Sequence, residues 1–90
     1  QLNLQVYPNP FNSHCTFEVF LQKRAEVQIT VYNLLGQVVR IISQEPLEAG
    51  IHHLKWDGRD GTGQEMSSGM YIYQLMSGKK RLTGRLLMLK

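Results

Sequence analysis

The sequence holds a single cysteine, Cys15, so no internal disulfide can form. The staple that small secreted domains commonly use is therefore missing, and the redox compartment cannot be read from it. Cys15 itself reads as a small buried apolar residue, not as a nucleophile. No apolar run approaches the roughly 20 residues that a membrane helix needs, so no helical membrane insertion is expected. A secretory leader is missing as well, and the first residue is Gln1, not Met. The expectation is a processed product or a piece of a longer chain, with any export signal upstream. Helical periodicity is missing throughout. Acidic residues are missing from the last twelve positions, which hold Lys79, Lys80, Arg81, Arg85 and Lys90, five of the ten basic residues. That basic stretch reads either as a solvated edge that resists strand pairing or as a contact for an acidic partner. Nucleic acid is not expected, because no recognition motif accompanies the charge.

What is present is strand after strand. The length of 90 residues, with 42% apolar and 19% charged residues, fits one small globular domain over residues 1–90. Leu2, Leu4 and Val6 alternate with polar residues and predict a first strand. It runs into Pro8-Asn9-Pro10, where two prolines remove two N–H donors and must interrupt ladder pairing. Cys15, Phe17, Val19 and Leu21 alternate in a second strand. Val27, Ile29 and Val31 define a third, and a turn with Gly36 leads to a short β-branched fourth strand over 38–42. A connection containing Pro46 follows, with Leu47 expected to tuck against the core. His52, Leu54 and Trp56 share one face of a fifth strand. After a loop rich in turn residues, over 57–68, two strands form a closing hairpin. Seven short strands at a spacing of about 8–14 residues predict an all-β, seven-stranded antiparallel Ig-like β-sandwich. Its core is expected to hold Phe17, Val19, Val27, Ile29, Val31, Leu54, Trp56 and Tyr71 or Ile72.

Few residues suggest chemistry. Asp57, Asp60 and Glu65 lie in a glycine-rich loop, but their spacing does not match a calcium-binding loop. Asp-Gly pairs are the ordinary residues of tight turns, and a turn is the expectation. His52 and His53 are neighbours on a strand, so their rings point to opposite faces and do not chelate one ion. His14 lies far from them in sequence. Cys15, His52, Asp57 and Ser67 form no nucleophile motif, and a sandwich this small has little room for a buried cleft. No catalysis, cofactor or metal is expected. Tyr7, Trp56, Tyr71 and Tyr73 allow a second reading, a platform on which sugar rings stack. Against it, period two must bury one face of each strand.

Read in order, Tyr7-Pro8-Asn9-Pro10-Phe11-Asn12, Val31-Tyr32-Asn33-Leu34-Leu35-Gly36-Gln37-Val38-Val39, Trp56-Asp57-Gly58-Arg59-Asp60, Ser68-Gly69-Met70-Tyr71 and Arg85-Leu86-Leu87-Met88-Leu89-Lys90 resemble the type A C-terminal sorting domain of the type IX (Por) secretion system. The likeness covers nearly the whole chain. It implies an Ig-like sandwich joined to a larger upstream passenger. Such a domain folds in the periplasm of a Gram-negative bacterium and is recognised by an outer-membrane translocon. A cell-surface sortase typically removes it, and the passenger is anchored at the surface or released. Carried over by position, the sorting information would lie in Gly69 and Tyr71 and above all in Arg85, Leu86, Leu87, Met88, Leu89 and Lys90. The tyrosine-proline opening and the Trp-Asp-Gly loop would be determinants of the fold. Arg85 departs from the lysine often found there, with the charge kept. The central motifs also resemble the Ig-like domain of flagellar hook-capping proteins, which implies a structural role in assembly.

The ending sharpens the expectation. Alternation places Leu86 and Met88 on one face and Leu87 and Leu89 on the other. A sandwich strand buries one face only, so Leu87 and Leu89 become the candidate contact residues. Recognition of this strand through its apolar side chains, backbone edge and basic flank is the expected mechanism, with strand addition to a partner sheet as one way to use the edge.

Overall fold

The computed structural model describes residues 2–43 and 45–90, with the side chain of Ser43 undescribed; Gln1 and Gln44 lie outside the described residues. The expected alternation becomes seven strands of five to nine residues: β1 (Leu2–Tyr7), β2 (Cys15–Leu21), β4 (Gln28–Tyr32), β5 (Val38–Ser43), β7 (Gly50–Trp56), β8 (Gly69–Ser77) and β9 (Lys80–Met88). Two further strands of two residues each, β3 (Ala25–Glu26) and β6 (Pro46–Leu47), pair with one another. Periodicity cannot reveal a two-residue strand, because it contains no full alternation.

One sheet has the order β1-β2-β7 and the other β5-β4-β8-β9, with antiparallel pairing throughout. The two inner faces meet in one core. Phe17 of β2 meets the edge of the Tyr73 ring of β8, with centroids 5.4 Å apart, so the contact crosses from sheet to sheet. Phe17, Val19, Val27, Ile29, Val31 and Trp56 are buried as expected, and Leu54 and Leu47 pack against them partly buried. Of the pair Tyr71 and Ile72, Tyr71 points inward. Cys15 is fully buried, and burial pushes its thiol pKa up to about 12. Phe11, Leu21, Val39 and Leu75 complete the core beyond the expected set, together with Leu86 and Met88.

Two turns show why the chain reverses where it does. Between β4 and β5, the Asn33 Oδ1 accepts hydrogen bonds from the amides of Leu35 and Gln37, each at 3.0 Å. This Asx arrangement satisfies the turn backbone locally and leaves Leu34 and Leu35 exposed at its tip. Between β8 and β9, Gly78 takes φ +60, and the register continues without a break from Ser77↔Lys80 to Gly69↔Met88. A glycine at the first central position of a two-residue hairpin loop is the type II′ solution, whose twist matches the flanking strands.

Candidate functional site at the clamped last strand

β9 is an edge strand, paired on one side with β8. Its open side should present unpaired backbone groups. From the Arg85 carbonyl to the Leu89 amide it does not. Prolines 8 and 10 stop their segment from adding as an ordinary strand, but the Asn9 side chain between them behaves like a piece of backbone. Its Nδ2 donates to the Arg85 carbonyl at 2.8 Å, and its Oδ1 accepts from the Leu87 amide at 3.0 Å. Two residues on, the Phe11 amide donates to the Leu87 carbonyl and the Phe11 carbonyl accepts from the Leu89 amide, both at 2.9 Å. Each of these is a well-formed hydrogen bond. Residues 9–11 therefore clamp the outer edge of β9. This corrects the expectation of a free backbone edge here: an incoming strand would have to displace the clamp.

Below the clamp lies an aromatic row. Phe11 packs at 5.6 Å from Trp56, and Trp56 meets Tyr71 edge-on at 5.4 Å. All three are buried, so their polar atoms need partners. The Trp56 indole N–H donates to the Arg59 carbonyl at 2.9 Å, and the Tyr71 hydroxyl donates to the Ser67 carbonyl at 2.7 Å. These bonds hold the 57–68 loop against the core. Burial of Trp56 and Tyr71 takes two of the four rings away from the alternative sugar platform: neither presents a face to a ligand.

The loop itself is a turn built on its carboxylates. Asp60 Oδ1 accepts from the Thr62 hydroxyl at 2.7 Å and from the amides of Thr62 and Gln64 at 2.9 and 3.0 Å. These bonds, the Thr62 hydroxyl first, hold the Asp60 carboxyl below its ordinary range. Asp57 Oδ1 accepts from the Arg59 amide and the Arg40 guanidinium. Glu65 is held low by the hydrogen bond and charge of Lys90, at 3.1 Å, with Arg59 at 3.4 Å on its other oxygen. Gly58, at φ +74, comes so close to β9 that an added Cβ would stand 3.1 Å from Met88 Cε. A cleft of about 330 Å³ opens beside this contact, lined by Asn12, Ser13, Arg59, Glu65, Met88 and Lys90 among others.

The residues implied by the sorting resemblance fall into two groups. Tyr71, Leu86 and Met88 are core, so a folded domain does not offer their side chains to a partner. Gly69 takes φ +148 at the start of β8 opposite Met88, a backbone conformation that a side chain disfavours. Arg85, Leu87, Leu89 and Lys90 lie outside. Leu87 is half-buried, in register with Met70, while Leu89 is 52% exposed. Lys90 is tethered at both ends, its amide to the Ser68 hydroxyl at 3.0 Å and its ammonium to Glu65. Sequence reasoning missed Asn9 and Phe11 as the partners of this strand. The one available signal was an aromatic residue set immediately after a proline pair in a polar stretch.

Fold and site together define the class: a small Ig-like β-sandwich whose last strand is clamped along its outer edge by the segment between its first two strands. Through a family model that matches residues 11–80, the chain belongs to the FlgD Ig-like domain family. No curated protein matches the sequence. Among solved structures, the chain is similar to dimeric latent PorU from Porphyromonas gingivalis, with a TM-score of 0.77 at 18% identity, covering 98% of this chain and 9% of that one. It is also similar to PorZ, an essential bacterial surface component of the type IX secretion system of the same organism, with a TM-score of 0.66 at 21% identity, covering 97% of this chain and 11% of that one. A third likeness is to the alkylpurine DNA glycosylase AlkC of Pseudomonas fluorescens, bound to DNA containing an abasic site analog, with a TM-score of 0.58 at 16% identity, covering 100% of this chain and 30% of that one. The chain thus spans less than a third of each of these proteins, and at such identities the likeness shows the fold.

Proposed function

We propose that this domain is a non-catalytic sorting signal of the type IX secretion system. In this reading it travels through the periplasm attached to a larger upstream passenger, is recognised by the outer-membrane translocon, and is processed by a surface sortase. The passenger then stays at the cell surface or is released. One observation carries the reading. The family match stops at residue 80 and begins at Phe11, so Pro8-Asn9-Pro10 and residues 85–90 lie outside the shared frame. Those two segments are bonded to each other. Their junction holds Arg85, Leu89 and Lys90 in a fixed, exposed arrangement. PorZ supports the same reading as a type IX surface component of similar fold.

The test must separate recognition from folding. Deleting 85–90 removes the buried Leu86 and Met88, so the truncated domain loses its core along with its signal. Substituting Arg85→Glu, Leu89→Ser and Lys90→Glu together leaves the core untouched. A reporter fused to this variant should accumulate in the periplasm of a host with the matching system, while the purified variant unfolds cooperatively like its parent. Normal secretion of the reporter would sink the proposal.

A second reading, structural assembly of the hook-capping type, is favoured by the family match itself. In that reading the contact surface is the β4–β5 hairpin tip, where Leu34 is 68% and Leu35 is 84% exposed. Replacing both leucines by serine would then abolish function, and the terminal substitutions would be silent.

A further inference from the structure

The clamp covers the outer edge of β9 only at its far end. In register with Leu87, whose amide and carbonyl both point outward, the backbone groups of Thr83 and Arg81 also point away from β8. Among the described residues none of these groups has a partner. The same stretch carries Lys79, Lys80, Arg81 and Arg85, all exposed and none in an ion pair among the described residues. No acidic residue follows Glu65 in the sequence. The edges of the other sheet differ: β1 carries no charged side chain, and β7 has Lys55 as its one lysine. On β5, the loop reaches across to bond the Val39 carbonyl through the Gly61 amide.

We propose that the open half of β9, around Arg81 and Thr83, accepts an acidic, extended peptide as an added strand. Basic side chains on an edge commonly deter pairing. They repel a second copy of this same edge, but they attract an acidic strand, and the backbone groups beside them supply the hydrogen bonds. The clamp at Arg85 limits the added strand to a short one. Alternation fixes its pattern: acidic side chains over Arg81 and Arg85 on the outer face, and apolar side chains over the half-buried Leu82 on the inner face. This surface shares Arg85 with the sorting proposal but not Leu89 or Lys90, and its test substitutes only Lys79, Arg81 and Thr83, so the two can fail separately.

The probe is the synthetic peptide Thr-Glu-Val-Glu-Val-Glu-Thr with blocked ends, titrated into the 90-residue chain at low salt and followed by amide NMR. A control peptide with prolines in place of both valines keeps the charge but cannot pair. Saturable binding of the first peptide alone is expected, with slowed hydrogen exchange at Arg81 and Thr83. Thr83→Pro removes an outward amide and no bond to β8, so it should abolish this binding and leave the fold intact. Arg81→Glu with Lys79→Glu should abolish it too, and serves as the reading if the proline variant does not fold. Absence of binding, equal binding of both peptides, or binding that survives in a folded Thr83→Pro overturns the proposal. So does a preference for anionic lipid vesicles without peptide binding, which would assign the cations to a membrane surface.

Discussion

Replacing Asn9 by alanine tests whether a side chain really stands in for a strand. The substitution deletes the bonds to the Arg85 carbonyl and the Leu87 amide and touches no core residue. A net hydrogen bond contributes about 0.5–1.5 kcal/mol, so two contribute about 1–3 kcal/mol. Asn9 is exposed, and water can reach the freed groups, which places the expected loss in the lower half, about 1–2 kcal/mol. For a domain of this size each kcal/mol lowers the melting temperature by about 4–8 °C. Urea unfolding gives the energy, and amide exchange gives the location: Leu87 should lose protection, while the Tyr71 amide in β8 keeps most of its own. Asn9→Asp keeps the acceptor for Leu87 but sets a carboxylate against the Arg85 carbonyl, so it should cost at least as much. The reasoning fails if Asn9→Ala unfolds within about 0.3 kcal/mol of the parent and Leu87 stays protected, because the clamp would then contribute nothing.

Trp56→Ala empties the centre of the aromatic row and should cost about 3–5 kcal/mol in urea unfolding; a loss under about 1 kcal/mol would contradict its role as core. Gly84→Ala drives a Cβ into the hydroxyl and ring edge of Tyr73, whose ring lies over Gly84 and against Phe17. It should cost about 1–3 kcal/mol, and adding Tyr73→Val should recover part of that loss in a double-mutant cycle. Cys15, its pKa raised to about 12 by burial, should resist thiol reagents near about pH 8 in the native state and react fully once denaturant unfolds the chain. Asp60 and Glu65 have folded-state pKa values below their ordinary ones. Their contribution is therefore present above about pH 4 and is lost as pH falls through the lowered values. Urea midpoints taken downward from about pH 6 should decline there, and Lys90→Ala should flatten the part of the decline that belongs to Glu65.

The strands were legible because their alternation is local: Phe17, Val19, Ile29 and Val31 announce an inner face within a few neighbouring residues. The same parity correctly separated Leu86 and Met88 from Leu87 and Leu89. It also named Leu87 and Leu89 as the outer pair, and the register against Tyr71 and Gly69 carries Leu86 and Met88 into the core. The clamp was not legible. Asn9 meets its partners across 76 and 78 positions, and nothing in Pro8-Asn9-Pro10 specifies which strand it will bond. Read locally, two prolines end a strand; only the neighbouring edge of β9 turns the asparagine between them into a substitute for one. Phe11 was illegible for the same reason, since its burial depends on Trp56, which lies far along the chain.

The clamp also sets an order of events. Contacts closing such long loops form late in folding, because chain entropy opposes them until much else is in place. Until residues 85–89 are free to dock, Leu86 and Met88 are missing from the interior, and Asn9 has nothing to bond. A chain emerging through a ribosomal tunnel or a narrow channel with residues 81–90 still threaded would therefore remain an open sheet and a half, its Phe11–Trp56–Tyr71 row lacking part of its packing. Closure of the sandwich then coincides with the docking of β9, so the compact state reports that residues 85–89 have reached the clamp.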